Sequence, residues 1–181
     1  QKLAKSRPDL DLSIVHTGQH YDHSMAEVFF DQFEIEPDFR LTLSRGDSFF
    51  QMGEMMSQLS ALIEKIKPDI VLTPGDVNST FAAAFASQRS AVQVGHIESG
   101  LRSFDRSMPE EVNRILTDEI SDYLFVTEPS GIENLSDGIY SKKQIHYVGN
   151  TMIDTLVAFD RKISKSEILA QIGIKKQEFL L

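Results

Sequence analysis

Short runs of apolar residues alternate along the chain with longer segments in which apolar residues recur every three or four positions. The short runs are rich in β-branched residues, so they predict strands buried on both faces of a sheet. The longer segments predict amphipathic helices. The predicted strands are residues 12–16, 70–73, 92–97, 123–127 and 145–148.

The clearest helical pattern covers residues 47–67, and Pro68 ends it. Methionines are common in its apolar stripe, and because methionine fills irregular gaps, the stripe predicts core packing and not a cofactor site. The stripe consists of Phe49, Met52, Met55, Met56, Leu59, Leu62, Ile63 and Ile66. A second helix is predicted over Asn78–Arg89, with Asn78 or Ser79 as its N-cap. Its small residues, which would allow close packing on a sheet, are Ala82, Ala83, Ala84 and Ala86.

Strand–helix alternation at this spacing predicts an α/β fold with a doubly wound parallel sheet. A chain of 181 residues, 41% hydrophobic and 25% charged, has the composition of a soluble globular protein. No apolar run approaches the roughly 18 to 20 residues of a membrane helix, so we expect no membrane partner and a cytoplasmic location. The absence of cysteine excludes disulfides, thiolate metal sites and a cysteine nucleophile. A net charge of -9 argues against a nucleic-acid partner.

The most informative segment is residues 96–114, HIESGLRSFDRSMPEEVNR. Glu98 stands at the end of a predicted strand, and a basic loop with Arg102 and Arg106 follows it. Glu110 then lies at the start of a helix that begins with proline. Carboxylates and guanidiniums this close to a strand end predict proton chemistry on an anionic ligand.

Helical periodicity separates two faces of the helix that follows the basic loop. At 100° per residue, Glu110 and Arg114 share a stripe that faces water or a cleft. The predicted core face consists of Val112, Ile115, Leu116 and Ile120. Asp76 supplies a third carboxylate at a strand end, after Pro74 and Gly75. Each acid also has a structural interpretation, as a turn residue, a solvated strand end or an ordinary helix start.

A histidine-rich segment, HTGQHYDH, follows the first predicted strand. Its spacings fit no zinc motif and a glycine interrupts it, so divergent side chains on a loop are favoured and no metal is predicted. A metal-dependent hydrolase is the weakest alternative. Because a strand ends here, Thr17, Gly18 and Gln19 are candidates to line the same cleft.

At these residues the chain resembles the non-hydrolysing UDP-N-acetylglucosamine 2-epimerases. The matching segments are TGQHYD, KPDIVLTPGDVNST, VGHIESGLRSFDRSMPEEVNR and GNTMIDTL, in the family's order and spacing. The resemblance implies a Rossmann-like domain that forms one half of a two-domain GT-B arrangement, with a UDP-sugar bound between the domains. It also implies a homodimer.

The resemblance implies a mechanism without metal or redox cofactor. The C2 proton of the sugar is removed, and UDP leaves C1 to give a 2-acetamidoglucal. UDP and a proton are then added again, the proton on the other face of the sugar, which inverts C2. Matched by position, the implied catalytic residues are Asp76, Glu98 and Glu110. The implied substrate-binding residues are Gln19, His20, Arg102, Arg106 and Arg114.

The chain departs from the family pattern at both ends. We expect residues 1–160 to form a Rossmann-like domain without its first strand, and residues 161–181 to begin a second such domain. The family's GTRPE-like loop and the histidine of its second domain are not in this sequence. The 181-residue chain is therefore expected to be inactive alone.

Three alternatives to UDP-N-acetylglucosamine epimerisation stay open. The GLRSFDR form of the loop is also similar to relatives acting on UDP-2,3-diacetamido sugars, where Arg102 or Arg106 would meet a sugar carboxylate. A GT-B glycosyltransferase would share the architecture without requiring three carboxylates. A UDP-sugar-binding protein would bind the ligand without exchanging the C2 proton.

Overall fold

The computed structural model describes residues 7–18, 27–136, 140 and 144–174. The chain divides into two compact units, Gln1–Tyr147 and Val148–Leu181. The first unit is a parallel α/β structure of the Rossmann-like kind, as the strand–helix alternation predicts.

Within the described residues the strands form two parallel sheets. One pairs β1 with β2 and the other has the order β3-β4-β5-β6. The strands are β1 Val15–His16, β2 Phe39–Arg40, β3 Ile70–Pro74, β4 Gln93–Ile97, β5 Tyr123–Val126 and β6 Ile145–Tyr147. The helices of this unit are α1 Glu27–Phe33, α2 Ser48–Ile66, α3 Asn78–Arg89, α4 Pro109–Ile120 and α5 Pro129–Ser136.

Helix α2 has the predicted extent and buries the predicted stripe. Asp47 caps it by accepting a hydrogen bond from the Phe50 amide at 2.8 Å, and Lys67 ends it in the left-handed conformation. Met55 and Leu59 are buried in one core cluster with Leu43 and two alanines of α3. Phe49 is the exception in the stripe, because its side chain is 80% exposed.

Helix α3 confirms the close packing expected of its alanines but not its predicted cap. Ala82, Ala84 and Ala86 are buried between α3 and its neighbours. The N-cap is Val77, which offers no side-chain hydrogen bond. The prediction of Asn78 or Ser79 was wrong because the helix already begins at Asn78.

The strands differ from prediction in two respects. β1 is shorter than predicted, and its partner β2 was not predicted because it has only two residues. Burial of both faces was also wrong for β3, where Ile70 and Leu72 are exposed and Thr73 is buried. Alternation of this kind is typical of a strand with one covered face.

The second unit contains α6 Thr151–Ser164 and α7 Ile168–Gln171. Asn150 caps α6 by accepting a hydrogen bond from the Met152 amide at 2.8 Å. Across the described parts of both units, none of the helices combines the length and apolar character that membrane crossing requires.

Candidate active site

Asp76 lies in the turn between β3 and α3. Gly75 makes that turn possible, since its φ of +73° is in the left-handed region that favours glycine. The Asp76 carboxylate forms an ion pair with Arg114 of α4 at 2.7 Å. Asn113 of α4 donates a hydrogen bond to the Asp76 carbonyl at 3.0 Å. The turn and α4 thus fix both the backbone and the carboxylate of Asp76.

Glu98 stands immediately beyond β4, the neighbour of β3 in the sheet. Pro74 and Ile97 are register partners, so the chain leaves the two strands side by side before Asp76 and Glu98. The φ of Glu98 is +67°, which costs a non-glycine residue about 1–3 kcal/mol. Its amide and that of Ser99 both donate to the Phe125 carbonyl, at 3.1 and 3.2 Å, and hold this conformation. A strained residue at a strand end suggests a functional role.

Glu110 is in the first turn of α4, one turn before Arg114. The helix begins with Pro109, and Glu110 is exposed. Within the described residues, neither the Glu98 nor the Glu110 carboxylate has a hydrogen-bond or ion-pair partner. Asp76 and Glu98 therefore follow the carboxyl ends of the neighbouring strands β3 and β4, where open α/β sheets bind ligands. The ion pair between Arg114 and Asp76 brings helix α4, which carries Glu110, against the same edge of the sheet.

The predicted core face of α4 was wrong. Val112 and Leu116 are 38% and 41% exposed. The buried side chains are instead Glu111, Asn113, Thr117 and Asp118. These polar groups bind backbone and side-chain atoms of neighbouring segments, which offsets the cost of removing them from water.

Glu111 anchors the basic loop. Its carboxylate accepts hydrogen bonds from the Ser103 amide at 2.8 Å, the Ser103 hydroxyl at 3.2 Å and the Phe104 amide at 3.2 Å. Further along the loop, the Ser107 hydroxyl and amide donate to Asp105, and these bonds hold the pKa of the Asp105 carboxyl below its usual value. The loop is therefore ordered by its own and neighbouring carboxylates.

The structure places the two loop arginines differently. Arg102 is nearly buried and forms an ion pair with Asp118 at 2.6 Å. Arg106 is exposed and has no ion-pair partner in the part of the chain that the structure describes. It borders a cleft of about 350 Å³ that Phe49, Asn78 and Asn113 also line. Of the two, Arg106 has the guanidinium available to an anionic ligand.

A hollow of about 460 Å³ lies at the opposite end of β3, between the end of α2 and the start of β4. Lys67, Pro68 and Val92 are among its lining residues. Since ligands of α/β sheets sit beyond the carboxyl ends of the strands, the smaller cleft beside Asn78 is the better candidate of the two. Its lining in the described residues borders the Asp76 turn at Asn78 and Asn113 but does not include Asp76, Glu98 or Glu110.

Gln19 and His20, the other predicted substrate-binding residues, lie outside the described residues, as do His23 and Asp22 of the histidine-rich segment. Among the residues that are described, no three His, Asp or Glu side chains are grouped to hold a metal ion.

Sequence reasoning missed the polar residues that support the site, including His96, Glu111, Asn113 and Asp118. His96 is fully buried in β4, with its ring nitrogens 2.7 Å from Asp118 and 2.8 Å from the Gly75 carbonyl. One signal was present, since Glu111, Arg114 and Asp118 recur at helical spacing and form a polar stripe.

Comparison with known proteins agrees with this architecture. The sequence profile of the UDP-N-acetylglucosamine 2-epimerase family matches residues 2–181. A UDP-N-acetylglucosamine 2-epimerase homolog of Methanococcus maripaludis is 45% identical over 93% of this chain and 48% of its own length. A UDP-2,3-diacetamido-2,3-dideoxy-D-glucuronate 2-epimerase of Pseudomonas aeruginosa is 42% identical over 91% of this chain and 46% of its own length.

The fold agrees as well. The crystal structure of Methanocaldococcus jannaschii UDP-GlcNAc 2-epimerase in complex with UDP-GlcNAc and UDP superposes with a TM-score of 0.88. It is 35% identical and covers 94% of this chain and 47% of that one. The chain thus spans about half the length of the relatives it matches. From the profile match over residues 2–181, this chain belongs to the UDP-N-acetylglucosamine 2-epimerase family.

Proposed function

We propose that the intact protein inverts C2 of a UDP-2-acetamido sugar, interconverting UDP-N-acetylglucosamine and UDP-N-acetylmannosamine without hydrolysis. The observation that carries the proposal is the position of Asp76 and Glu98 after the carboxyl ends of neighbouring strands, with the helix of Glu110 joined to the Asp76 turn by the Arg114–Asp76 ion pair. Family membership supports the same reaction class.

The proposed reaction is an elimination followed by re-addition. A carboxylate takes the C2 proton, the electron pair of the C–H bond forms the C1–C2 double bond, and the C1–O bond breaks with its pair leaving on UDP. Return of UDP to C1 and of a proton to the other face of C2 completes the inversion. Such proton transfers require carboxylates within hydrogen-bond reach of C2.

Glu98 and Glu110 are the better candidates for proton transfer, because their carboxylates have no partner within the described residues. Asp76 is held by Arg114 at 2.7 Å, so it can join the chemistry only if that pair opens or Arg114 turns to the substrate. Arg114 pairs with Asp76, and Arg106 lines the cleft next to Pro109 and Asn113, so we assign both to the anionic part of the UDP-sugar.

The test is to incubate the intact protein with UDP-N-acetylglucosamine in heavy water and follow deuterium at C2 together with free UDP. Asp76→Asn, Glu98→Gln and Glu110→Gln should each slow C2 exchange by about a hundredfold or more. Glu119→Gln is the matched control, since Glu119 is an exposed acid of α4 that bonds Tyr140 at 2.7 Å. Wild-type exchange in all three site variants would refute the proposal.

The same experiment separates the alternative classes. A glycosyltransferase would require an acceptor before it released UDP, and a UDP-sugar-binding protein would bind without deuterium entering C2. Steady accumulation of free UDP and free sugar would show a hydrolysing enzyme instead.

A UDP-2,3-diacetamido uronate is the second candidate substrate. It is favoured by Arg106, which lies beside the cleft and has no ion-pair partner among the described residues, and by the relative of that specificity that is 42% identical. Arg106 would then bind the sugar carboxylate, which Arg102 cannot do while Asp118 holds it. Offering both substrates to the intact protein decides between them, and Arg106→Gln should weaken turnover of the uronate more than that of the uncharged sugar.

We also propose that the protein forms a homodimer through the outer side of α4. Met108, Val112 and Leu116 follow one another at a spacing of four residues, and each is exposed in this chain. Apolar side chains aligned in this way on a helix are typical of a surface that a partner covers.

A further inference from the structure

His96 connects the turn that carries Asp76 to helix α4. Its side chain is fully buried, with Nδ1 2.7 Å from Asp118 Oδ1 and Nε2 2.8 Å from the Gly75 carbonyl oxygen. Gly75 directly precedes Asp76. A single imidazole therefore spans the distance between a helix and the backbone of a catalytic turn.

Both partners of the imidazole are acceptors. The Gly75 carbonyl cannot donate a hydrogen bond, and the Asp118 carboxylate already accepts from the Gly100 amide at 3.2 Å while it pairs with Arg102 at 2.6 Å. Each ring nitrogen of His96 lies within hydrogen-bond distance of an oxygen acceptor, and His96, Asp118 and Arg102 form one cluster in the interior.

The cluster links three segments that meet at the site. Asp118 fixes Gly100 and Arg102, which follow Glu98 by two and four positions. His96 fixes Gly75, and Asp118 itself belongs to the helix that carries Glu110 and Arg114. Each of the three acids is thereby connected to one buried pair, although neither His96 nor Asp118 is exposed to touch a ligand.

We propose that His96 and Asp118 are positioning residues that set the relative placement of the Asp76 turn, the Glu98 strand end and helix α4. The proposal rests on the proposed C2 epimerisation. Apart from the His96 contact, the Asp76 turn is held by the Gly75 amide, which donates to the Ile97 carbonyl at 3.0 Å, and by Asn113 and Arg114 of α4, which bond Asp76 at 3.0 and 2.7 Å. A shift of about 1 Å in a reacting group can slow a reaction about a hundredfold, so loss of the His96 contact should affect turnover before binding.

The experiment compares His96→Gln and Asp118→Asn with the control Asp122→Ala in the intact protein. Asp122 anchors the same strand by accepting from the Val94 amide at 2.8 Å, and none of its hydrogen bonds within the described residues reaches the Asp76 turn. His96→Gln should lower the kcat of C2 exchange about tenfold to a hundredfold with KM within about threefold, and Asp118→Asn should act in the same direction. Asp122→Ala should lower thermal stability and leave kcat within about twofold.

Two further measurements separate positioning from general support. Amide hydrogen exchange over residues 73–77 should accelerate in His96→Gln and not in Asp122→Ala. In an Asp76→Asn background, His96→Gln should slow C2 exchange by much less than it does alone, because both changes disturb the same turn. If His96→Gln does not fold, Asp118→Asn carries the same comparison with a side chain of the same shape.

Failure of this proposal is distinguishable from failure of the proposed function. If the wild-type protein incorporates no deuterium at C2, the proposed function fails. The positioning role then fails with it, unless amide hydrogen exchange over residues 73–77 accelerates in His96→Gln and not in Asp122→Ala. If the wild-type protein is active, and His96→Gln resembles Asp122→Ala in kcat and in amide hydrogen exchange over residues 73–77, only the positioning role is overturned.

Discussion

Helices α2 and α4 both have amphipathic patterns, yet they bury opposite kinds of side chain. α2 buries Met55, Leu59 and Ile63 and turns polar residues outwards. α4 buries Glu111, Asn113, Thr117 and Asp118, while Val112 and Leu116 are exposed. The sequence pattern alone does not distinguish the two arrangements.

The difference follows from what each helix packs against. α2 meets apolar groups, including Leu43 and the alanines of α3, so burial of its apolar stripe is favourable. α4 meets the ends of β3 and β4 and the basic loop, which present backbone amides and carbonyls that need partners. Apolar packing is therefore concentrated around α2, and the residues of the proposed chemistry around α4.

The largest effect on stability is expected from Leu59→Ala in α2. Removing a fully packed leucine side chain leaves a cavity, and such changes cost about 2–5 kcal/mol. Urea unfolding of the intact protein measures the loss, with Leu62→Ala as the control because Leu62 is on the same helix and partly exposed. kcat for C2 exchange should stay within about twofold under folding conditions. A large fall in kcat without loss of stability would contradict the division between α2 and α4.

A smaller loss of stability, with a loss of activity, is expected from Glu111→Gln in α4. The amide would turn an N–H group towards an amide donor of Ser103 or Phe104, and an unsatisfied buried donor costs about 1–3 kcal/mol. The basic loop should loosen and KM for the UDP-sugar should rise about tenfold, since a lost charge-assisted hydrogen bond is of this size.

Glu110, the acid next to Glu111, provides the comparison for the Glu111→Gln variant. Glu110→Gln should leave the free energy of unfolding within about 0.5 kcal/mol, because Glu110 is exposed and has no partner within the described residues. The Glu110→Gln substitution should instead slow C2 exchange. Identical behaviour of the two adjacent variants in both measurements would show that the buried and exposed acids of α4 do not differ as the structure indicates.

Sequence reasoning succeeded where one local rule decides the structure. The apolar stripe and Pro68 define α2 without reference to any other segment, and the strand ends locate Asp76 and Glu98. It failed for α4 because the partners of Glu111 and Asp118 come from other segments, which a helical periodicity cannot place. The left-handed conformation of Glu98 and the two-residue strand β2 also depend on tertiary contacts.

The smallest effect on subunit stability, and the sharpest test of α4, is expected from Leu116→Glu. If Leu116 is exposed in the folded subunit, the charge should change subunit unfolding by no more than about 0.5 kcal/mol. If α4 is the proposed dimer surface, the same charge should weaken association by about 2 kcal/mol, or roughly thirtyfold in the dissociation constant. Sedimentation over a concentration series measures this, with Glu119→Gln as the control on α4. Unchanged association together with a loss of about 2 kcal/mol or more in subunit unfolding would place Leu116 inside the subunit, and α4 would then bury its apolar side as α2 does.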